Sequence, residues 1–289
     1  MNINWYPGHM KKTLEKIEEN SKQVDFVIEI LDARIPISSQ NPEINKLLEG
    51  KPRLVLLNKK DLAQAEETTR WIQFFEKERE GEALALAWNS QDQASSGRIS
   101  QAVKTLMAPR MEKLRAKGIK KIKHRGMVVG IPNVGKSTFI NQIAGRKAAK
   151  IGNRPGVTKS NQWIRLHPEL DLMDTPGVLW PKLDPPIRAY HLAFTGSIKD
   201  EVMDRESLAL EYLKEAQAVF PQALLDRYKL EDFEKTPLET LEAIGKKRGA
   251  LVAGGYVDYS KVANLLLDEF RKGLLGPLSL ERVGDHDRY

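Results

Sequence analysis

The residues with the most chemistry in this chain are Gly130-Ile131-Pro132-Asn133-Val134-Gly135-Lys136-Ser137. They fit G-x-x-x-x-G-K-[ST], with a Val- and Ile-rich run before them and a helical pattern from Thr138 after them. Glycines permit a turn whose backbone N–H groups surround phosphates, and the helix that follows aims the positive end of its dipole at them. Lys136 then reaches the β- and γ-phosphates. The Ser137 hydroxyl serves a Mg2+ ion that bridges the same groups. Roughly 40 residues further on, Asp174-Thr175-Pro176-Gly177 follows a short apolar run at 170–173. Asp174 at a strand's carboxyl end suits the Mg2+ shell, and Gly177 offers an N–H to the γ-phosphate. Alone, D-x-x-G describes only a turn; its distance from the phosphate loop gives it meaning.

Asn58-Lys59-Lys60-Asp61 matches N-K-x-D, the guanine-reading motif of GTPases. The Asp61 carboxylate can accept from the ring N–H and exocyclic amine of guanine, neither of which adenine presents in that arrangement. GTP and GDP are therefore the expected ligands. The same aspartate also suits a helix N-cap after a polar turn. Asn89 and Ser90, after the run 83–87, stand where GTPases present a second loop to the base. In Arg154-Pro155-Gly156-Val157-Thr158, Thr158 is placed to close over Mg2+ and the γ-phosphate, although a surface turn without a ligand would use the same Pro-Gly pair.

These motifs need a scaffold that gathers them, and the intervening sequence supplies one. Runs at 24–31, 53–57, 83–87, 127–131, 162–166 and 170–173 read as short strands, and 10–24, 63–80, 99–117 and 138–144 as helices between them. Such alternation predicts an α/β fold with a parallel sheet. Past Pro185 and Pro186 the strand-like runs nearly vanish, and 205–219, 237–247 and 259–272 look helical. The boundary is expected near Asp184, with residues 281–289 polar and frayed.

Ordinary GTPases run phosphate loop, switch threonine, D-x-x-G, then N-K-x-D. Here Asn58–Asp61 precedes the phosphate loop by about 70 residues. The order predicts a circular permutation that keeps the packed core and moves the chain ends. Its mechanical consequence is that the D-T-P-G loop leads through Trp180, Pro181 and Pro185 into the C-terminal helices. Nucleotide-dependent movement there could reorient the second domain.

With Trp5-Tyr6-Pro7-Gly8-His9-Met10, Asp32-Ala33-Arg34-Ile35-Pro36 and the run Leu172 to Pro181 added, the whole chain resembles the ribosome biogenesis GTPase A family. The resemblance implies a circularly permuted P-loop GTPase domain over 1–184 and a smaller all-helical RNA-binding domain over 185–289. It also implies a cytoplasmic bacterial factor that binds the large ribosomal subunit and its rRNA late in assembly and leaves on GTP hydrolysis. Val178 follows Gly177 where many GTPases carry a water-orienting glutamine, and its side chain makes no hydrogen bond. The resemblance points instead to His9, which a structural role at the start of the first helix would also explain. Asn133 holds the position that in related GTPases helps bind K+, and it could equally serve the loop's own backbone. Lys246, Lys247 and Arg248 are the expected RNA contacts, with capping of a helix before Gly249 as the other reading.

Composition narrows the remaining classes. The chain has 289 residues, a net charge of +7 and no cysteine, which excludes disulfides and thiolate metal sites and suits a polyanionic partner. Basic residues crowd Lys113 to Arg125 and Arg146 to Lys159, as a polyanion-binding face or merely a solvated surface. No apolar run is long enough to span a bilayer and no secretory signal is visible, so a cytoplasmic monomer is expected. Two competing readings are a small-subunit assembly GTPase and a nucleotide-sensing RNA-binding module without turnover. The first is disfavoured by the cysteine-free helical tail; the second is motivated by Val178.

Overall fold

The computed structural model describes residues 8–79, 81–89, 96–119, 122–145, 162–167, 169–198 and 203–289. The first half is an α/β layer built on β1 (Phe26–Asp32), β2 (Arg53–Asn58), β3 (Ala83–Ala87), β4 (His124–Val129), β5 (Gln162–His167) and β6 (Leu170–Asp174). They form one sheet in the order β3-β2-β1-β4-β6-β5, parallel except for β5, which runs antiparallel to β6 at one edge. Buried on both faces, β1 and β2 are nearly continuous hydrophobic runs, as a covered parallel sheet requires. Glu29 and Arg53 interrupt them and pair with each other at 2.6 Å inside the core.

The register places the motifs side by side. Asp32 lies opposite Asn58 at the ends of β1 and β2, Leu57 opposite Ala87, and Asp174 opposite Val128 just before the phosphate loop. Because these strands are parallel, every one of these ends lies at the same carboxyl edge, where ligands of open α/β sheets bind. Helices α1 (Gly8–Ser21), α2 (Pro42–Leu47), α3 (Ala65–Glu78), α4 (Ser96–Ala116) and α5 (Lys136–Ala144) alternate with the strands. The short α2 is absent from the sequence pattern. Its Asn41 cap, accepting from the N–H groups of Glu43 and Ile44 with Pro42 in the first turn, explains why it forms.

The second half is helical: α6 (Pro186–Phe194), α7 (Arg205–Val219), α8 (Pro221–Tyr228), α9 (Pro237–Lys247) and α10 (Tyr259–Arg271). Helix α9 starts with a complete capping box between Thr236 and Glu239. The core is continuous with that of the sheet, running from Ile17 and Phe26 through Val178 and Leu192 to Leu266 and Leu280. The expectation of a frayed end at 281–289 is overturned. Glu281 is fully buried, Val283–Arg288 forms a 3₁₀ turn, and Tyr289 is covered. The reason is polar: the last residues find hydrogen-bond partners on loops of the first half, which hydropathy cannot reveal.

Candidate nucleotide site

The phosphate loop turns tightly out of β4. Gly135 has a φ of +105° and begins α5, and the space a Cβ would need there is taken by the Asn58 amide. Asn58 Nδ2 donates to the Val134 carbonyl at 2.7 Å, so the first residue of the base motif is bolted to the phosphate loop. Asn58 Oδ1 is a buried acceptor with no protein partner among the described residues. Lys136 is buried and donates from Nζ to the Ile131 carbonyl at 2.6 Å, an arrangement that wraps the loop around the amine.

Gly177 approaches this loop so closely that a Cβ would meet Pro132 at 2.7 Å and Lys136 Nζ at 2.8 Å. Its neighbour Thr175 donates to the Val128 carbonyl at 2.6 Å and fixes the turn to β4. Asp174 is buried, and its Oδ1 has no protein hydrogen-bond partner among the described residues. Burial raises the Asp174 carboxyl above its ordinary range, with Lys136 offsetting part of the effect. Burial likewise lowers the Lys136 amine, and Asp174 offsets part of that.

The base-reading side is braced differently. Lys59 takes a left-handed conformation, φ +59°, and its Nζ pairs with Asp32 at 2.8 Å. Asp32 also receives Nε and Nη2 of Arg34 at 2.9 and 2.8 Å. Burial opposes ionisation of Asp32, but Arg34 and Lys59 outweigh it and hold the carboxyl well below the usual carboxylate range. Asp32-Ala33-Arg34, noticed in the sequence without a role, is thus the mount for Lys59. Asp61 lies in the 3₁₀ turn Lys60–Leu62 with its side chain exposed, so desolvation of this carboxylate would come when a base covers it. Lys60 N–H donates to the Trp88 carbonyl at 3.1 Å, bringing the segment before Asn89 against the base motif.

The structure therefore gathers Asn58, Lys59, Lys60, Asp61, Asn89, residues 130–138, Asp174 and Gly177 at one edge. Ser90 and Thr158 lie outside the described residues, as does the side chain of His9, whose backbone is in the first turn of α1. Val178 is fully buried in the core, and its carbonyl accepts from Asn41 Nδ2 at 2.9 Å. Asn133, φ +57°, donates from Nδ2 to the Gly196 carbonyl at 2.9 Å, a contact between phosphate loop and helical half that sequence reasoning did not anticipate. Lys246 and Lys247 are exposed at the end of α9. Arg248, also exposed, pairs with Glu269 and lies over Tyr228, with Cζ 5.5 Å from the ring centroid.

Comparison with known proteins gives a consistent picture. A family described as 50S ribosome-binding GTPase matches residues 125–251, a stretch that starts on β4 and so includes the phosphate loop and Asp174–Gly177 but begins after Asn58–Asp61. A ribosome biogenesis GTPase A of Bacillus cereus is 43% identical over 97% of this chain and 94% of its own length. A mitochondrial ribosome-associated GTPase 1 of Mus musculus is 34% identical over 96% of this chain and 90% of its own. The solved structure of GNP-bound YlqF from T. maritima superposes with a TM-score of 0.66 at 25% identity, covering 94% of this chain and 98% of that one.

Proposed function

The chain belongs to the ribosome biogenesis GTPase A family and hydrolyses GTP, and from that premise we propose that it binds the large ribosomal subunit late in assembly, completes its maturation and leaves on hydrolysis. The observation that carries this reading is the bond from Asn133 in the phosphate loop to Gly196 in the helical half. A helical surface that engages rRNA would then register the nucleotide state through a direct contact, helped by the D-T-P-G loop running straight into α6. Lys246, Lys247 and Arg248, all exposed, would supply the RNA contact, Arg248 being also bonded to Glu269.

The residues fit a Mg2+ ion. The buried, unpartnered Asp174 Oδ1 is a carboxylate oxygen in want of a cation, and no group of three or more His, Cys, Asp or Glu side chains is placed to hold a metal among the described residues. Asp174 and the hydroxyls of Ser137 and Thr158 would hold the ion. When bound, Mg2+ supplies neutralisation of charge on the transferring phosphoryl group. Lys136 and the phosphate-loop N–H groups bind and orient the phosphates; Gly177 adds its N–H at the γ-position. Val178 is turned into the core, so the attacking water needs another group, and we assign its positioning to His9. We further assign a K+ ion to Asn133, whose amide nitrogen bonds the Gly196 carbonyl. No helix among the described residues is long and apolar enough to cross a membrane.

Cosedimentation with separated ribosomal subunits in each nucleotide state tests the reading. Binding to the large subunit is expected with a non-hydrolysable GTP analogue, weaker with GDP, and reduced along with its salt slope by K246A/K247A. Equal binding to both subunits, or indifference to nucleotide, would overturn it. In a hydrolysis assay with and without subunits, His9→Ala should cut the stimulated rate by about 100-fold, with GTP affinity unchanged in a separate binding measurement.

A further inference from the structure

Residues 33–41 after β1 and residues 59–64 after β2, which include the end of the base motif, are both crossed by the last residues of the chain. Leu278 N–H donates to the Leu62 carbonyl at 2.8 Å, one residue past Asp61, and Gln64 N–H donates to Ser279 Oγ at 3.1 Å. The N–H groups of Leu280 and Glu281 converge on the Arg34 carbonyl at 3.0 and 3.2 Å. The Glu281 carboxylate then accepts from Ile37 N–H at 2.7 Å and Ser38 N–H at 3.1 Å. Consecutive N–H groups directed at one buried carboxylate make an anion-holding turn, here satisfied from within the chain. On its other side Glu281 receives Nδ1 of His191 at 2.8 Å, while His191 Nε2 meets Glu215 of α7 at 2.6 Å.

From Glu281 the contacts lead to the nucleotide. The loop it grips begins at Asp32, whose N–H donates to Ser39 Oγ at 3.0 Å and whose carboxylate holds Arg34 and Lys59. Ala33 N–H donates to the Asn58 carbonyl at 2.8 Å. A shift of residues 34–38 would therefore move the mount of Lys59 and the end of β2 together. Arg34 is pressed from the other side by Phe270 of α10, with Cζ 5.1 Å from the ring centroid. Among the described residues these carbonyls and N–H groups have no hydrogen-bond partner besides the tail.

We propose that Glu281 is a positioning residue for guanine-nucleotide binding: by clamping residues 34–38 between the helical half and β1 it fixes the geometry with which Asn58, Lys59 and Asp61 meet the base. Linkage makes the relation reciprocal, so guanine binding must tighten the tail by the factor with which the tail tightens guanine binding. The clamp meets the phosphate loop at second hand, through the Asn58 Nδ2 bond to the Val134 carbonyl, so its effect should fall far more on base binding than on phosphate binding.

Amide exchange on the full, unmodified chain tests this without any risk of misfolding. Saturating GDP should slow exchange at Ile37, Ser38, Leu280 and Glu281 by about 10-fold. Inorganic pyrophosphate with Mg2+, which engages the phosphate loop alone, should leave those amides unchanged. Unchanged exchange with GDP, or equal slowing by pyrophosphate, would overturn the proposal. As a second measurement, Glu281→Gln should raise the GDP dissociation constant about 10-fold while pyrophosphate affinity and kcat at saturating GTP stay within about twofold. An unchanged GDP affinity, or a loss shared by pyrophosphate, would reduce Glu281 to a fold-stabilising residue.

Discussion

Two lysines each stand near a buried aspartate at the same edge of the sheet, and their surroundings give the two couples opposite characters. Lys59 and Asp32 form a closed unit in which Arg34 adds a second positive partner, and Asp32 is held firmly ionised. Lys136 and Asp174 are desolvated without such support, and burial pushes both toward their neutral forms. The first pair is completed by protein, and its work is to hold a loop still. The second leaves charge unsatisfied by protein, of the kind that a polyanionic ligand and a divalent cation would neutralise. Stability is thus invested at the base-reading side and withheld at the phosphate side.

Substitutions should separate the two pairs cleanly. Lys136→Met is expected to lower GTP hydrolysis by about 1,000-fold, because it removes a positioned charge from the transferring phosphoryl group. In urea unfolding without nucleotide, the same variant should lie within about 1 kcal/mol of the parent, since an undercompensated buried charge contributes little to folding. A loss of several kcal/mol would mean that Lys136 is a structural residue and that the contrast is false.

Asp32→Ala is expected to do the reverse. It leaves Arg34 and Lys59 facing each other in the interior, which should cost about 3 kcal/mol of unfolding free energy. A double-mutant cycle with Lys59→Met should recover a substantial part of that loss, because the second change removes one of the stranded charges. Additive effects would show that the ion pair is not the source.

The helical junction offers a test by pH. Burial opposes the charge on His191, but its bonds to Glu215 and Glu281 prevail and raise its pKa from 6.5 to about 9. Stabilisation from the charged ring is therefore fully present below about pH 6.5 and fades as pH climbs through about 9, a loss on the order of 2 kcal/mol. His191→Gln should flatten the stability curve over that window. A curve that keeps its slope in the variant would place the titration elsewhere.

The smallest effect is expected at Val178. A glutamine there would enter the core and not the nucleotide site, so Val178→Gln should change hydrolysis by less than about twofold while lowering stability by about 2 kcal/mol. An increase in hydrolysis would show that the position can face the γ-phosphate after all.

Much of the site was legible because its motifs are local. Gly135 answers to a backbone turn, Lys136 and Asp174 are the residue types that phosphate and metal chemistry would require, and Asp61 the type that one base edge would require. Each requirement falls on a few consecutive residues at the end of a strand, so the sequence could declare the ligand, the α/β class and the permuted order. The tail was misread for the opposite reason. Glu281 is polar and carries no periodic signal, and its burial depends on N–H groups at Ile37 and Ser38, more than 240 residues away. The same holds for α2, whose six residues are too few to show a period.

By itself, then, the sequence determined which chemistry the chain can perform, since phosphate, metal and base contacts are fixed by residue type and short-range spacing. Only the tertiary structure decided how those contacts are held: that Asp32 mounts Lys59, that Asn133 reaches Gly196, and that Arg248 belongs to Glu269. Hydrogen bonds and buried ion pairs become specific only when desolvated partners meet, and that meeting is a property of the packed chain.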